Sequence, residues 1–139
     1  VASALSEMHR HRMNHLDVKP KNILMSEEGK AVLIDFGAAH KFSENDDEAS
    51  SLLPIMSGRF SPLEIGRIKD FSPTTDIYSL GATLYWLLTG DEPPREGLFE
   101  DDEKPKCISE KIWKALSLSL RAHREERPQS IEEFLALLD

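Results

Sequence analysis

Apolar residues recur at helical spacing at the start of the chain, at Ala2, Leu5 and Met8, and this pattern predicts an amphipathic helix over residues 2–12. Its last turn gathers His9, Arg10, His11 and Arg12 where the helix dipole favours cations, and Asn14 reads as the stop. No capping residue precedes the pattern, which opens directly on Val1, so the expectation is that chain has been removed upstream. A loop over residues 14–21 follows, and then the period becomes extended. Residues 22–25 and 31–35 are short β-rich runs, and the turn-like Ser26-Glu27-Glu28-Gly29-Lys30 between them predicts a hairpin. Antiparallel pairing across that turn sets Asn22 roughly opposite Asp35. Asp17 lies five residues before Asn22 on the adjoining loop, so three groups able to bind a metal or accept a proton gather at one end of a ribbon.

Residues 36–68 have no sustained period and contain Gly37, Pro54, Gly58 and Pro62, which predicts a long irregular segment; segments of this kind are usually functional or disordered. After Ser72-Pro73-Thr74-Thr75, a helix is predicted over residues 76–88. Ile77, Leu80, Leu84, Leu87 and Leu88 mark one face, and Tyr78, Ala82, Tyr85 and Trp86 make the rest apolar too, which predicts burial at the centre of the domain. Gly90 and Pro93-Pro94 end it. A polar connection over residues 96–106 leads to a helix over 109–123, and a last helix opens at Ser130 with Glu133 in capping-box spacing. The fold class is therefore mainly α with a small β-hairpin.

Composition narrows the choice of partners. The chain has 139 residues, 40% of them hydrophobic, which suits one domain with a core of its own. The net charge of −8 comes mostly from residues 43–50 and 100–104, and this local acidity argues against nucleic acid as a partner. Cys107 is the single cysteine, so no internal disulfide forms and a reducing compartment fits. The longest apolar run, around residues 80–88, falls short of the roughly 20 residues that span a bilayer. No membrane partner is expected, no signal peptide is evident, and the cytoplasm is the default location.

His15-Leu16-Asp17-Val18-Lys19-Pro20-Lys21-Asn22, followed by Ile23-Leu24, resembles the catalytic loop of protein kinases, and Asp35-Phe36-Gly37 resembles their metal-binding triplet. Gly58-Arg59-Phe60-Ser61-Pro62-Leu63-Glu64 is similar to the segment closing the activation loop, Asp76-Ile77-Tyr78-Ser79-Leu80-Gly81 to the start of the central helix, and Arg127-Pro128 to the partner of the closing glutamate. The likeness runs over nearly the whole chain. It implies the C-terminal lobe of a eukaryotic-type Ser/Thr protein kinase, in an α+β kinase-like fold with catalytic loop 15–22, metal triplet 35–37, activation segment 35–64 and central helix near 76–88. The N-terminal lobe with its glycine-rich loop is absent, so the 139 residues alone are expected to be inactive and to self-associate through the uncovered face.

The resemblance also implies roles. Asp17 would orient or accept the proton of a substrate hydroxyl, and Lys19 would contact the transferred phosphate. Asn22 and Asp35 would hold Mg²⁺ (or Mn²⁺) bridging the phosphates of ATP, with Lys19 and Leu24 also on the nucleotide. Asp76 would hold the backbone of the catalytic loop, Glu64 would pair with Arg127, and His15 and Phe36 would stack as core members. Lys19-Pro20 points to Ser/Thr rather than Tyr in a protein substrate. Leu16 departs from the family's usual arginine, the receiver of an activation-loop phosphate, so control by that route is not expected. The acidic run 44–48 reads as a solvated loop, and Ser50, Ser51 and Ser57 are candidate phosphosites. Two other readings compete: a pseudokinase or kinase-like scaffold, and a small-molecule phosphotransferase, which Lys19-Pro20, Phe36-Gly37 and the Glu64 with Arg127 pair disfavour.

Overall fold

Among the described residues the order is α1 (Ala2–Arg10), β1 (Met13–Asn14), β2 (Ile23–Met25), β3 (Ala31–Leu33), β4 (His40–Lys41), α2 (Pro73–Thr89), α3 (Glu110–Ser119) and α4 (Ile131–Leu138). The structure is a computed structural model, described over residues 1–41, 58–66, 71–95, 97–98 and 102–139. The acidic run 44–48 and Ser50, Ser51 and Ser57 lie outside the described residues.

Helix α1 turns Leu5 into the interior and ends sooner than its pattern predicts. His11 closes it, and Arg12 takes left-handed backbone at φ 58°, so the chain reverses there and not at Asn14. Asn14 instead belongs to β1, which pairs antiparallel with β4, Asn14 opposite His40. Its side chain is fully buried, and neither Oδ1 nor Nδ2 has a hydrogen-bond partner among the described residues. A buried polar group left unpaired costs about 1–3 kcal/mol. Replacement Asn14→Leu, which keeps the branching and the number of side-chain heavy atoms, is therefore expected to raise the unfolding free energy by about 1–2 kcal/mol. Urea unfolding checks this, and a loss of stability would mean that the amide is satisfied.

Strands β2 and β3 form the predicted hairpin, in the register Ile23 to Leu33, Leu24 to Val32 and Met25 to Ala31. Ser26 and Lys30 close the turn, the Ser26 N–H donating to Lys30 O at 2.8 Å, and Gly29 supplies the positive φ of 78° that the turn requires. Asn22 consequently faces Ile34, whose N–H donates to Asn22 O at 2.8 Å, one residue short of the predicted partner Asp35.

Helix α2 begins earlier than predicted, with Ser72 at the N-cap and Pro73 in the first turn, where its missing N–H costs nothing. It packs against α1, α3 and α4. Residues Thr74–Ser79 and Gly81–Thr83 are buried, but its last turns leave Trp86, Leu87 and Leu88 partly exposed, so it is central only over its N-terminal part. Gly90, at φ 79°, ends it and donates to Trp86 O at 2.8 Å. At Gly81 the neighbouring α3 comes so close that a Cβ there would lie 2.8 Å from Ser119 Cβ.

Helix α3 is shorter than its predicted span of 109–123, and Ser109 Oγ caps it by accepting from Ile112 N–H. Helix α4 is capped by Ser130 Oγ, which accepts from Glu133 N–H. The return bond of the expected capping box is displaced by one residue, since Glu133 Oε2 accepts from the Gln129 N–H at 2.7 Å. One core cluster joins Leu5, Val18, Leu33, Ile77, Ala115, Ile131 and Phe134; a second joins Tyr78, Ala82, Leu98, Ile108, Trp113, Leu116 and Leu120. Each such side chain contributes about 1.5–3 kcal/mol when fully buried. Val18 and Leu33 tie the loop between β1 and β2 and the hairpin to the helical body. No described helix is long and apolar enough to cross a membrane.

Candidate active site

The loop between β1 and β2 is placed by a carboxylate on α2. Asp76, fully buried, accepts from the backbone N–H of His15 at Oδ2 (2.8 Å) and of Leu16 at Oδ1 (2.9 Å), while His9 Nε2 lies 2.8 Å from the same Oδ2. Two backbone donors that no strand or helix ladder uses are thus satisfied by one side chain. The chain needs this anchor because Leu16 sits in left-handed backbone at φ 64°, a conformation that costs an L-residue about 1–2 kcal/mol. Burial of its side chain, 1% exposed, offsets that cost with about 1.5–3 kcal/mol.

Asp17 follows directly. Its Oδ1 is 3.1 Å from Lys19 Nζ, and its Oδ2 accepts from Asn22 Nδ2 at 2.9 Å. Asn22 Nδ2 also donates to Asp17 O at 2.8 Å, so both of its amide hydrogens are spent on Asp17 and only its carbonyl end remains for a cation. Asn22 is buried at the close of a 3-10 turn, Pro20–Asn22, which Pro20 starts with its fixed φ. Asp17 keeps partial access, with its side chain 19% exposed. The result is a partly exposed carboxylate in contact with an ammonium and an amide donor.

Asp35 is exposed just past the end of β3 and also takes left-handed backbone, at φ 60°. Its Oδ1 accepts from the Gly37 N–H at 3.2 Å. Strained backbone of this kind concentrates where a side chain must be aimed for function. The hairpin carries Asn22 and Asp35 to the same end, as the spacing predicts. Among the described residues no three His, Cys, Asp or Glu side chains converge on a metal cage. Two oxygen donors, Asn22 Oδ1 and a carboxylate of Asp35, are the kind of set that holds Mg²⁺ when substrate phosphates and water supply the rest.

His15 joins the two halves of the site. Its Nδ1 accepts from the Asp17 N–H at 3.2 Å, which leaves Nε2 to donate to Ile34 O at 3.1 Å. Both ring nitrogens are thus engaged with backbone groups. Its ring meets Phe36 edge-on, with centroids 5.3 Å apart. Phe36 is not the core member predicted: 54% of it is exposed, as are Leu24 (54%) and Val32 (46%), which face each other across the hairpin.

The segment closing at Leu63–Gly66 is fixed by the pair expected from the sequence. Arg127 Nη1 and Nη2 bind Glu64 Oε1 and Oε2 at 2.5 and 3.1 Å. The same guanidinium also donates to Arg121 O, Ala122 O and Thr74 O, and Tyr78 stacks beneath it, 5.0 Å from Cζ to ring centroid. Burial pushes the Tyr78 phenol above its ordinary pKa, with Arg127 acting in the opposite direction.

Sequence reasoning missed two participants. His9 was read as a helix-end cation, and its contact with Asp76 has no signal in local pattern. Leu16 was read only as a missing arginine, whereas it fills an apolar cluster with Ile65 and Phe71.

The protein kinase domain model matches residues 1–139. A serine/threonine-protein kinase of Arabidopsis thaliana, AtPK1/AtPK6, is 37% identical over 125 residues, covering 88% of this chain and 25% of that protein. PknL, a serine/threonine-protein kinase of Mycobacterium tuberculosis, is 34% identical over 93 residues, covering 67% of this chain and 23% of that protein. The solved apo structure of PpkA-294 superposes with a TM-score of 0.77 at 28% identity, over 99% of this chain and 50% of that one. The chain thus spans about a quarter of the length of these curated relatives. With the Asp76 anchor, the Asp17, Lys19 and Asn22 junction and the Glu64 with Arg127 pair on a mainly helical body, the chain belongs to the protein kinase domain family and is similar to its serine/threonine kinases.

Proposed function

We propose that this chain forms the large lobe of a Ser/Thr protein kinase, and that the protein containing it transfers the γ-phosphate of ATP to serine or threonine hydroxyls of protein substrates. The observation that carries this reading is the junction at Asp17, whose carboxylate contacts Lys19 Nζ and Asn22 Nδ2 and keeps a partly exposed side. A substrate hydroxyl on that side gives its proton to Asp17 as its oxygen bonds to the γ-phosphorus. The bond from that phosphorus to the β–γ bridging oxygen breaks, and ADP leaves with the electron pair. Lys19 neutralises charge on the transferred group. Asn22 and Asp35 are the residues fit to hold Mg²⁺ or Mn²⁺, which when bound neutralises phosphate charge. Leu24, exposed on β2 opposite Val32, offers an apolar face to the base of the nucleotide.

The test is incubation of the full-length protein with Mg²⁺-ATP and casein, with phosphorylated residues identified by mass spectrometry. Phosphoserine or phosphothreonine that disappears when the metal is chelated is the expected result. No transfer together with no measurable nucleotide binding would replace this reading with that of a kinase-like scaffold.

A further inference from the structure

We infer that Leu16 is a positioning residue, an apolar latch that couples the placement of Asp17 to closure of the segment ending at Glu64 and Ile65. The inference deepens the kinase reading and rests on it for the chemistry. Leu16, 1% exposed, packs with Ile65 (0%) and Phe71 (7%), and the partly buried Ala38 lies against the same cluster. The cluster therefore gathers chain that follows the Asp35-Phe36-Gly37 triplet, the turn next to Glu64, and the approach to α2 around Leu16. Its own backbone is fixed as well. The N–H is held by Asp76 Oδ1 at 2.9 Å, and the next residue is Asp17.

Asp76 fixes the loop to α2, and Arg127 fixes Glu64 to the chain near Ala122. The cluster of Leu16, Ile65 and Phe71 joins the catalytic loop to the closing segment by apolar packing. An ion pair with a phosphate can be made and broken by modification. An apolar contact of fully buried side chains has no charge to gain or lose, so the latch is closed whenever the domain is folded. The left-handed backbone of Leu16 adds direction, because it turns the side chain inward while Asp17, one residue on, keeps its carboxylate partly exposed.

The experiment compares the full-length protein with Leu16→Ala, Ile65→Ala, the double variant and the conservative Leu16→Met. Each is assayed well below its own melting temperature. The expected result for either alanine variant is a fall in kcat on the order of 10- to 100-fold, because a small misplacement of reacting groups has effects of that size. KM for the protein substrate should rise and KM for ATP should hold, with the double variant no worse than about the worse single one. Leu16→Met should restore most of the activity. A lower melting temperature with unchanged kinetics, or fully additive losses, would overturn the latch and leave Leu16 as ordinary core. If the wild-type protein transfers no phosphate, the kinase reading falls, and amide hydrogen exchange still decides the contact. Faster exchange at residues 61–66 in Leu16→Ala, with α4 unchanged, supports it; equal exchange in that segment overturns it.

Discussion

Replacing Asp17 with asparagine in the full-length protein is expected to lower kcat by about 10²- to 10⁴-fold, the range over which a positioned proton acceptor contributes. The substitution keeps the size and shape of the side chain and removes its charge. Two donors face this group, Lys19 Nζ at 3.1 Å and Asn22 Nδ2 at 2.9 Å, and a carboxylate accepts from both. An amide has only one oxygen, so one of those contacts becomes donor against donor and Asn22 loses part of its anchoring. The backbone bonds, from the Asp17 N–H to His15 Nδ1 and from Asn22 Nδ2 to Asp17 O, stay in place. The fold should therefore survive, with a melting temperature close to wild type and KM for ATP little changed. Steady-state kinetics with Mg²⁺-ATP and a protein substrate provide the measurement. A kcat within twofold of wild type would remove Asp17 from the path of the proton.

The largest effect on stability is expected at Arg127. Its side chain is completely buried, and Glu64 is only 13% exposed. Arg127→Met keeps much of the volume and removes every donor. Glu64 is then left as a carboxylate without its cation, three carbonyls (Thr74, Arg121 and Ala122) lose a donor, and Tyr78 loses the charge above its ring. Breaking one partner out of a buried pair costs about 3–5 kcal/mol. Urea unfolding should report a loss in that range. The double variant Arg127→Met with Glu64→Gln should recover part of it, because the uncompensated charge has gone. A loss below about 1 kcal/mol would place this pair with exposed ones.

Much of the site was legible because its residues sit close together in sequence and their types are chemically restricted. Asp17, Lys19 and Asn22 occupy six consecutive positions, and the hairpin that brings Asp35 back to them is announced by a turn between two β-rich runs. The one-residue error in register had a readable remedy. Gly29, at φ 78°, is the left-handed residue of a three-residue hairpin loop, and counting outward from it pairs Ser26 with Lys30. Other features had no local signal. The β1 with β4 pairing is two residues long and joins chain far apart in sequence. Helix α1 stops at His11, and the next residue, Arg12, takes left-handed backbone that arginine does not prefer. The exposed end of α2, Trp86 to Leu88, is more apolar than its buried start, Thr74 to Ser79, so composition points the wrong way and the packing of α3 and α4 decides.

The closeness of α2 and α3 at Gly81 has a consequence for how relatives of this chain diverge. A methyl group at position 81 meets the Cβ of Ser119, which no rotation of the serine side chain removes. Any sequence that acquires a side chain at 81 must give one up at 119 or splay the two helices, carrying Ile112 and Trp113 away from Tyr78. Positions 81 and 119 are thus one unit of variation, and an alignment of relatives with this helix crossing should hold their combined volume nearly constant while each residue changes.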